Sequence, residues 1–126
     1  MYEELYEKLT DEQAENYLRR INYEGDLSLT RDTLDKLIFA HQCSVPFENL
    51  DIFDFHKPIS LAPSVIYKKV VEEHRGGYCF ELNLLFYSLL SNMGFEVIPT
   101  TVRLKMGRDI FPPNLHRASL VKIDGL

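Results

Sequence analysis

Hydrophobic residues recur at helical spacing in the first part of the chain, which predicts two helices near its start. The first should run from Asp11 to about Arg20, because Thr10 opens a Thr-x-x-Gln capping box. The second follows Thr30 and should stop before Pro46, because a residue that precedes proline disfavours the α region. The periodic apolar positions are Ala14, Tyr17, Leu18 and Ile21 in the first helix and Leu34, Leu37, Ile38 and His41 in the second.

Two further helices are predicted before the pattern changes. One should cover roughly Ala62 to Glu73 and end at Gly76-Gly77, where glycine can take the left-handed conformation of a helix C-terminus. Its inward-facing residues are predicted to be Ile66, Val70 and Val71. The last helix should begin at or next to Cys79 and close at Gly94. Its apolar residues cover most of its circumference, so we expect it to be the most buried.

The rest of the chain is predicted as loops and strands. Residues 45–58 carry no helical period and should form an ordered loop. Phe95 to Leu104 is rich in Val, Ile and Thr, a strand signature in which Pro99 must lie at an edge or a bend. A second strand is predicted from Leu115 to Ile123, and Asp124-Gly125 after it is a hairpin-turn signal.

The order of elements, helices first and strands afterwards, indicates an α+β fold. We expect a helical domain over residues 1–94 and an incomplete strand domain over residues 95–126. The hairpin signal at Asp124-Gly125 predicts a further strand, but only Leu126 follows it in this sequence. We therefore expect the chain to end inside a β-sheet with an unpaired edge.

Composition narrows the classes of function. The 126 residues are 45% hydrophobic, enough to bury a core. A net charge of -5 argues against a nucleic-acid surface. The acidic N-terminus lacks the pattern of a signal peptide or membrane span, so we expect a cytoplasmic protein without a membrane partner, with Cys43 and Cys79 as free thiols. The sequence contains neither a Cys-x-x-Cys motif nor histidines at ligand spacing, so no metal site is predicted.

Cys79 is the candidate nucleophile. It sits at a predicted helix start, where the partial positive charge of free backbone N–H groups favours a thiolate. Gly76 and Gly77 before it keep the approach to the sulfur open and can aim N–H groups at a developing oxyanion. The alternative is a buried cysteine that acts as a small hydrophobic residue, with glycines that only cap the preceding helix. Spacing alone leaves both interpretations open.

His116 is the candidate base, because it enters a predicted strand from which an imidazole can face a helix N-terminus. A surface position on that strand is the more frequent outcome for such a histidine. Among the others, His41 lies on the core face of a helix and should be a packing residue, and His56 lies in a loop. His74 complements the dipole at a helix C-terminus.

Four polar residues around Cys79 are expected to give mainly structural support. Arg75 should pair with a carboxylate to fix the loop before Cys79, and Glu48 is the favoured partner because its neighbours are apolar. Glu81 is interpreted as ordinary compensation of the helix dipole. Asn83, one turn after Cys79, either orients the sulfur or holds another polar group.

The run from Arg75 to Asn83, Arg-Gly-Gly-Tyr-Cys-Phe-Glu-Leu-Asn, matches the Arg-Gly-Gly-x-Cys-x-Glu-x-Asn signature of arylamine N-acetyltransferases. The chain therefore resembles that family. Further matching stretches are Tyr17-Leu18-x-Arg20-Ile21, Leu34 to His41 with Val45 to Leu50, Met93-Gly94-Phe95, and His116 with Leu120-Val121 and Asp124-Gly125.

The resemblance implies a helical first domain, a β-barrel second domain and an α/β lid, with the nucleophile arranged as in papain-like and transglutaminase-like enzymes. It implies a ping-pong reaction in which Cys79 takes the acetyl group of acetyl-coenzyme A and passes it to an arylamine or arylhydrazine. His116 would keep the sulfur ionised. The residues implied to line the acceptor pocket are Phe47 and Leu115, and those implied to lie near the coenzyme are Pro112 and Pro113.

The family completes its triad with an acid, usually Asp, on the strand after the one that carries the histidine, and this sequence contains no such strand. Asp124 is no substitute, because eight extended residues from His116 would place it roughly 26 Å away at about 3.3 Å per residue. An acetyltransferase, an inactive fragment or remnant of one, and a cysteine hydrolase of similar Cys-His arrangement are the three interpretations. The Phe47 to Leu50 and Arg75 to Gly77 stretches favour the transferase over the hydrolase.

Overall fold

The structure is a computed structural model that describes residues 8–103, 107 and 116–123. The described elements are helices α1 (Asp11–Arg20), α2 (Arg31–Ser44), α3 (Leu50–Phe53), α4 (Pro63–Tyr67) and α5 (Cys79–Met93), and strands β1 (Glu96–Val102) and β2 (His116–Lys122). This order confirms the α+β class. The division into two domains at residue 94 stays a prediction. Among the described helices, none has the length and apolar character needed to cross a membrane.

Helix α1 begins and packs as its sequence predicts. The Thr10 hydroxyl accepts the Gln13 N–H at 3.2 Å, and the Gln13 side chain accepts the Thr10 N–H at 3.0 Å, which completes the capping box. The predicted apolar stripe faces the core, with Ala14, Tyr17 and Ile21 buried and Leu18 packed against them. The capping box and the apolar spacing therefore predict the same helix, and its bounds match the predicted ones.

The side chain of Arg20 joins three segments of the chain. Its Nε donates to the carbonyl of Val70 and its Nη1 to the carbonyl of Ser44, each at 2.8 Å. Its Nη2 donates to the carbonyl of Arg75 at 3.4 Å. The end of α1 is thus bonded to the end of α2 and to the segment that leads into α5.

The helix predicted from Ala62 to Glu73 is not uniform. It starts as α4 and continues over Lys68–Glu72 as a π-helical turn, which is wider than an α-helical turn and carries an additional residue. Ile66, Val70 and Val71 are buried as predicted, together with Lys69. The left-handed residue after this helix is His74, at φ 56°, so the predicted glycine C-terminus is wrong at this position.

Helix α5 lies at the centre of the core, and its predicted bounds are confirmed. It begins at Cys79, and Gly94 directly after its last residue has a left-handed φ of 103°. Leu84, Leu85 and Leu89 along it are completely buried. The preceding region, predicted as a loop over residues 45–58, differs from the prediction in containing the short helix α3, where a single turn is too brief to show a helical period.

Strands β1 and β2 pair in an antiparallel sheet that packs on α5. Glu96 lies opposite Lys122 and Val102 opposite His116. Pro99 lies opposite Ser119. Because the sheet rests on α5, the start of β2 is brought to the helix that begins with Cys79.

Candidate active site

Cys79 is the first residue of α5, and it lies on the wall of a cavity of about 700 Å³. Only 9% of the residue is exposed. The N–H groups of the first helical turn carry partial positive charge, which stabilises an anionic sulfur at this position. A thiolate here would therefore be open to a molecule in the cavity while the rest of the residue is packed.

His116 lines the same cavity as Cys79. Its strand, β2, forms one side of the cavity, and α2 forms another with His41. Phe47 contributes an aromatic side chain that is 68% exposed. The cavity therefore combines a thiol, an imidazole and an apolar wall, a set of groups that suits nucleophilic chemistry on a small molecule.

Asn83 connects α5 to β2. Its side-chain amide donates a hydrogen bond to the carbonyl of Arg117 at 2.5 Å. Asn83 follows Cys79 by one helical turn, and Arg117 follows His116 directly. Asn83 was expected either to orient the Cys79 sulfur or to hold another polar group. The bond corresponds to the second role, because the amide holds a backbone carbonyl of β2.

The two glycines before the nucleophile allow two backbones to approach each other. Phe47 and Gly77 form a parallel bridge, in which the Gly77 N–H donates to the Pro46 carbonyl at 3.3 Å and its carbonyl accepts the Glu48 N–H at 2.9 Å. A Cβ added at Gly76 would lie 1.8 Å from the Pro46 oxygen. Gly76 is therefore required by the approach of the Pro46 backbone, whereas a Cβ at Gly77 would meet the side chain of Glu81.

This bridge corrects the prediction that Gly77 aims its N–H at an oxyanion. That N–H is already bonded to the carbonyl of Pro46, so it is directed away from a ligand of the cavity. The bridge has a different consequence for the site, because it fixes Phe47 beside the turn that precedes Cys79.

Beneath that turn lies a buried cluster of five charged side chains. The ammonium of Lys69 lies 2.9 Å from carboxylate oxygens of both Asp51 and Glu81, and 3.5 Å from Glu48. The guanidinium of Arg75 lies 3.1 Å from Glu48 and 2.8 Å from Asp51. The Arg75–Glu48 ion pair predicted from the sequence is present. We refer to these five residues as the charge cluster.

Mutual attraction within the charge cluster favours the ionised forms of Asp51 and Lys69. The hydrogen bond from Lys69 lowers the pKa of Asp51, which outweighs the effect of burial. Burial alone would lower the pKa of Lys69, but its hydrogen bonds to Glu81 and Asp51 outweigh burial and the pKa is raised. The contact of Arg75 with Asp51 Oδ1 is a close ion pair without good hydrogen-bond alignment.

Two members of this cluster, Lys69 and Asp51, were not predicted from the sequence, and the role predicted for Glu81 was too small. Lys69 lies three residues after Ile66 and next to Val70, so helical spacing already placed it on the buried face. Asp51 has apolar neighbours, the criterion that selected Glu48. Glu81 does more than compensate a dipole, because its side chain is 4% exposed and accepts the Tyr78 N–H at 3.2 Å.

His41 is a satisfied packing residue, as expected, and it also lines the cavity. Its Nε2 lies 2.7 Å from the hydroxyl of Tyr17, and its ring packs against Phe86 with centroids 5.2 Å apart. Burial, with a smaller contribution from Arg20, lowers the pKa of His41 to about 4. The imidazole is therefore neutral near pH 7. His56 and His74 are exposed.

Several predicted residues lie outside the part of the chain that the structure describes. These are Leu115, Pro112, Pro113 and Asp124. Among the described residues, no three His, Cys, Asp or Glu side chains are grouped as metal ligands would be.

Known proteins of related sequence and fold identify the family of this chain. The arylamine N-acetyltransferase of Escherichia coli strain K12 is 37% identical over 110 residues, which cover 86% of this chain and 39% of that protein. The solved arylamine N-acetyltransferase from Salmonella typhimurium superposes on 93% of this chain with a TM-score of 0.85 and 34% identity. The Mycobacterium marinum enzyme in complex with CoA superposes on 89% with a TM-score of 0.79 and 34% identity.

This chain spans only part of those proteins, covering 42% of each of the two solved chains. The sequence profile of the N-acetyltransferase family matches residues 30–126, which include the segment with Cys79 and the strand with His116. Because the match covers most of the chain and the related proteins share its fold, the chain belongs to the arylamine N-acetyltransferase family.

Proposed function

We propose that this chain supplies the nucleophile and the base of an acetyl-coenzyme A-dependent arylamine N-acetyltransferase. The observation that carries the proposal is the shared cavity of Cys79, at the N-terminus of α5, and His116, on β2. A thiol at a helix start and a histidine that lines the same cavity are the two groups that acyl transfer through a cysteine requires.

In the first half of the proposed reaction, His116 accepts the proton of the Cys79 thiol. The thiolate attacks the acyl carbonyl of acetyl-coenzyme A, forming a new carbon–sulfur bond, and the bond to the coenzyme sulfur breaks. The imidazolium returns its proton to the departing coenzyme thiolate. The charge of the attacking sulfur before this step is stabilised by the N-terminus of α5.

In the second half, the nitrogen of an arylamine or arylhydrazine attacks the acetyl thioester at Cys79. His116 takes the proton that the nitrogen loses, and the thiolate of Cys79 leaves. The net result is an amide, free coenzyme A and the original enzyme. No step in this scheme requires a metal ion or another cofactor.

The cavity suits an aromatic acceptor. Its volume of about 700 Å³ is within the usual range for small-molecule sites. Apolar side chains such as Leu82, Phe86 and Val121 line it, and Phe47 presents an exposed ring. Leu115 for the acceptor and Pro112-Pro113 for the coenzyme remain proposed contacts from the family resemblance, as does a location in the cytoplasm.

Acetylation of the purified chain tests the proposal. The chain is incubated with acetyl-coenzyme A and its intact mass is measured, followed by peptide mapping. One acetyl group is expected on Cys79 and none on Cys43, which is an exposed free thiol. Cys43→Ser should be acetylated normally and Cys79→Ser should not, and an added arylamine should remove the acetyl group and yield its amide.

Absence of the adduct on a folded chain would contradict the proposed activity of this chain. A version lengthened to the size of the relatives shows whether the missing adduct reflects the absent remainder of the protein or a lack of reactivity at Cys79. If only the longer protein is acetylated, the chain is a fragment that cannot react without the remainder. Release of acetate without transfer to the amine would support the cysteine hydrolase.

A further inference from the structure

We propose that Lys69 is a positioning residue for the reaction at Cys79 and acts through Glu81, which holds the backbone immediately before the nucleophile. This inference rests on the proposed function, because it concerns the reactivity of Cys79. It adds a residue that lies outside the signature around Cys79 and does not line the cavity.

Lys69 is placed to bring separate segments together. Its side chain is 10% exposed, and its ammonium contacts carboxylates from three parts of the chain. Asp51 comes from α3 and Glu81 from α5, while Glu48 follows the bridge that holds Phe47. Removal of the ammonium would leave Arg75 facing Glu48 and Asp51, but Glu81 would lie beside these carboxylates without the Lys69 ammonium, which disfavours its ionised form.

Glu81 connects this cation to the start of α5 through its two carboxylate oxygens. Oε2 lies 2.9 Å from the Lys69 ammonium, and Oε1 accepts the N–H of Tyr78 at 3.2 Å. Oε1 also lies against Gly77, since a Cβ added there would be 3.0 Å from it. Tyr78 directly precedes Cys79, so the orientation of Glu81 bears on the backbone that presents the sulfur.

The charge of Lys69 also matters for the thiolate. The charge cluster contains three carboxylates and two cations, a net charge of -1, and loss of Lys69 makes it -2. Glu81 and the Cys79 sulfur both lie in the first turn of α5 and are stabilised by the same partial positive charge. An unpaired Glu81 would therefore disfavour ionisation of the thiol.

The experiment measures the rate of iodoacetamide alkylation of Cys79 as a function of pH, in a Cys43→Ser background. Lys69→Met should move the midpoint upward by roughly half a pH unit, about a threefold slower reaction below the midpoint. Lys69→Arg keeps the charge and should stay near the parent. The double variant Lys69→Met with Glu81→Gln should return toward the parent, because Gln still accepts the Tyr78 N–H without an unpaired charge.

The other charged groups near Cys79 are unchanged in these variants. Among the described residues they include His116 and Arg117 on β2 and His41 on α2, which line the same cavity, and Tyr78 in the preceding position. A shift that the double variant reverses can therefore be assigned to Lys69 and Glu81. Should Lys69→Met fail to fold, Glu81→Gln alone provides the test, since removing this carboxylate beside an intact Lys69 should lower the midpoint.

Two failures are distinguishable. If the parent alkylates with the midpoint of an ordinary thiol and accepts no acetyl group, the proposed function fails. If the parent has a lowered midpoint and becomes acetylated, but Lys69→Met changes only the thermal unfolding temperature, Lys69 is merely structural and this inference is overturned. An unchanged midpoint in a folded Glu81→Gln variant overturns it as well.

Discussion

The side-chain amide of Asn83 donates a hydrogen bond to the backbone carbonyl of Arg117 at 2.5 Å. This bond ties α5, one turn after Cys79, to β2, one residue after His116. The proposed nucleophile and the proposed base lie on different elements, and this bond joins those two elements close to both residues. This amide therefore contributes, together with the packing of the sheet on α5, to the relative position of Cys79 and His116.

Replacement of Asn83 by Ala should slow acetylation of Cys79 by at least about tenfold, because a displacement of β2 moves the imidazole from its working distance. The free energy of unfolding should fall by about 1–2 kcal/mol. Single-turnover acetylation and urea denaturation measure the two effects. Asn92→Ala is the matched control, since that amide on the same helix donates to the Leu9 carbonyl at 2.8 Å, away from the cavity. An equal loss of rate in both variants would refute a local role for Asn83.

Gly76→Ala should destabilise the chain by more than about 2 kcal/mol, because the new methyl group would meet the backbone oxygen of Pro46 at 1.8 Å. Displacing that backbone also opens the bridge between Phe47 and Gly77. Gly25→Ala is the control, because its nearest neighbours are side-chain atoms of Tyr23, which can move. Urea denaturation of both variants gives the comparison, and equal stability would show that the close approach is not required.

Loss of the Arg20 side chain should cost about 3 kcal/mol of unfolding free energy, since three carbonyls lose a charged donor. Arg20→Met keeps most of the aliphatic volume and isolates the hydrogen bonds. Arg19→Met, the neighbouring exposed arginine, should change stability by less than about 0.5 kcal/mol. The prediction is wrong if the two variants unfold at the same urea concentration.

Stability should decline as pH falls from about 6.5 to about 4 because of His41. Its folded pKa of about 4 lies below that of the unfolded chain, so the unfolded state binds the additional proton in this window and is favoured there. The loss attributable to His41 is up to about 3 kcal/mol. Asp51, whose pKa is also depressed, adds a loss only below about pH 4.

Urea denaturation at pH 7.5 and at pH 5 tests the assignment. His41→Gln should be less stable at pH 7.5 but should lose much less stability on acidification than the parent. His56→Gln, at an exposed position, should keep the parent's pH dependence. If His41→Gln retains the full decline, another group is responsible for it.

Local signals in the sequence were enough for the elements that carry the nucleophile. The capping box at Thr10 fixed the start of α1, and the Cys79 and Gly94 positions fixed both ends of α5. Each of these signals involves residues within one helical turn of each other. The π-helical turn was not foreseen, because its residues carry the same apolar spacing that an α-helix would.

Features that depend on distant segments were predicted poorly. Gly76 looked like a helix terminus, although its small size is required by Pro46, thirty positions earlier. Lys69 was not predicted to take part in the site, although carboxylates from three segments surround it in the interior. Helical spacing places Lys69 on the buried face, but no local signal identifies the partners of either residue, since only the folded chain brings them together.

The most direct test of the account is the rate at which acetyl-coenzyme A acetylates Cys79 in the parent chain and in His116→Ala, followed by mass spectrometry. We predict one acetyl group on Cys79 in the parent and a reaction at least about a hundredfold slower in the variant. Thermal unfolding of the two proteins should remain similar, because His116 is partly exposed. Equal rates in both proteins, or an acetyl group that avoids Cys79 altogether, would contradict the pairing of these two residues.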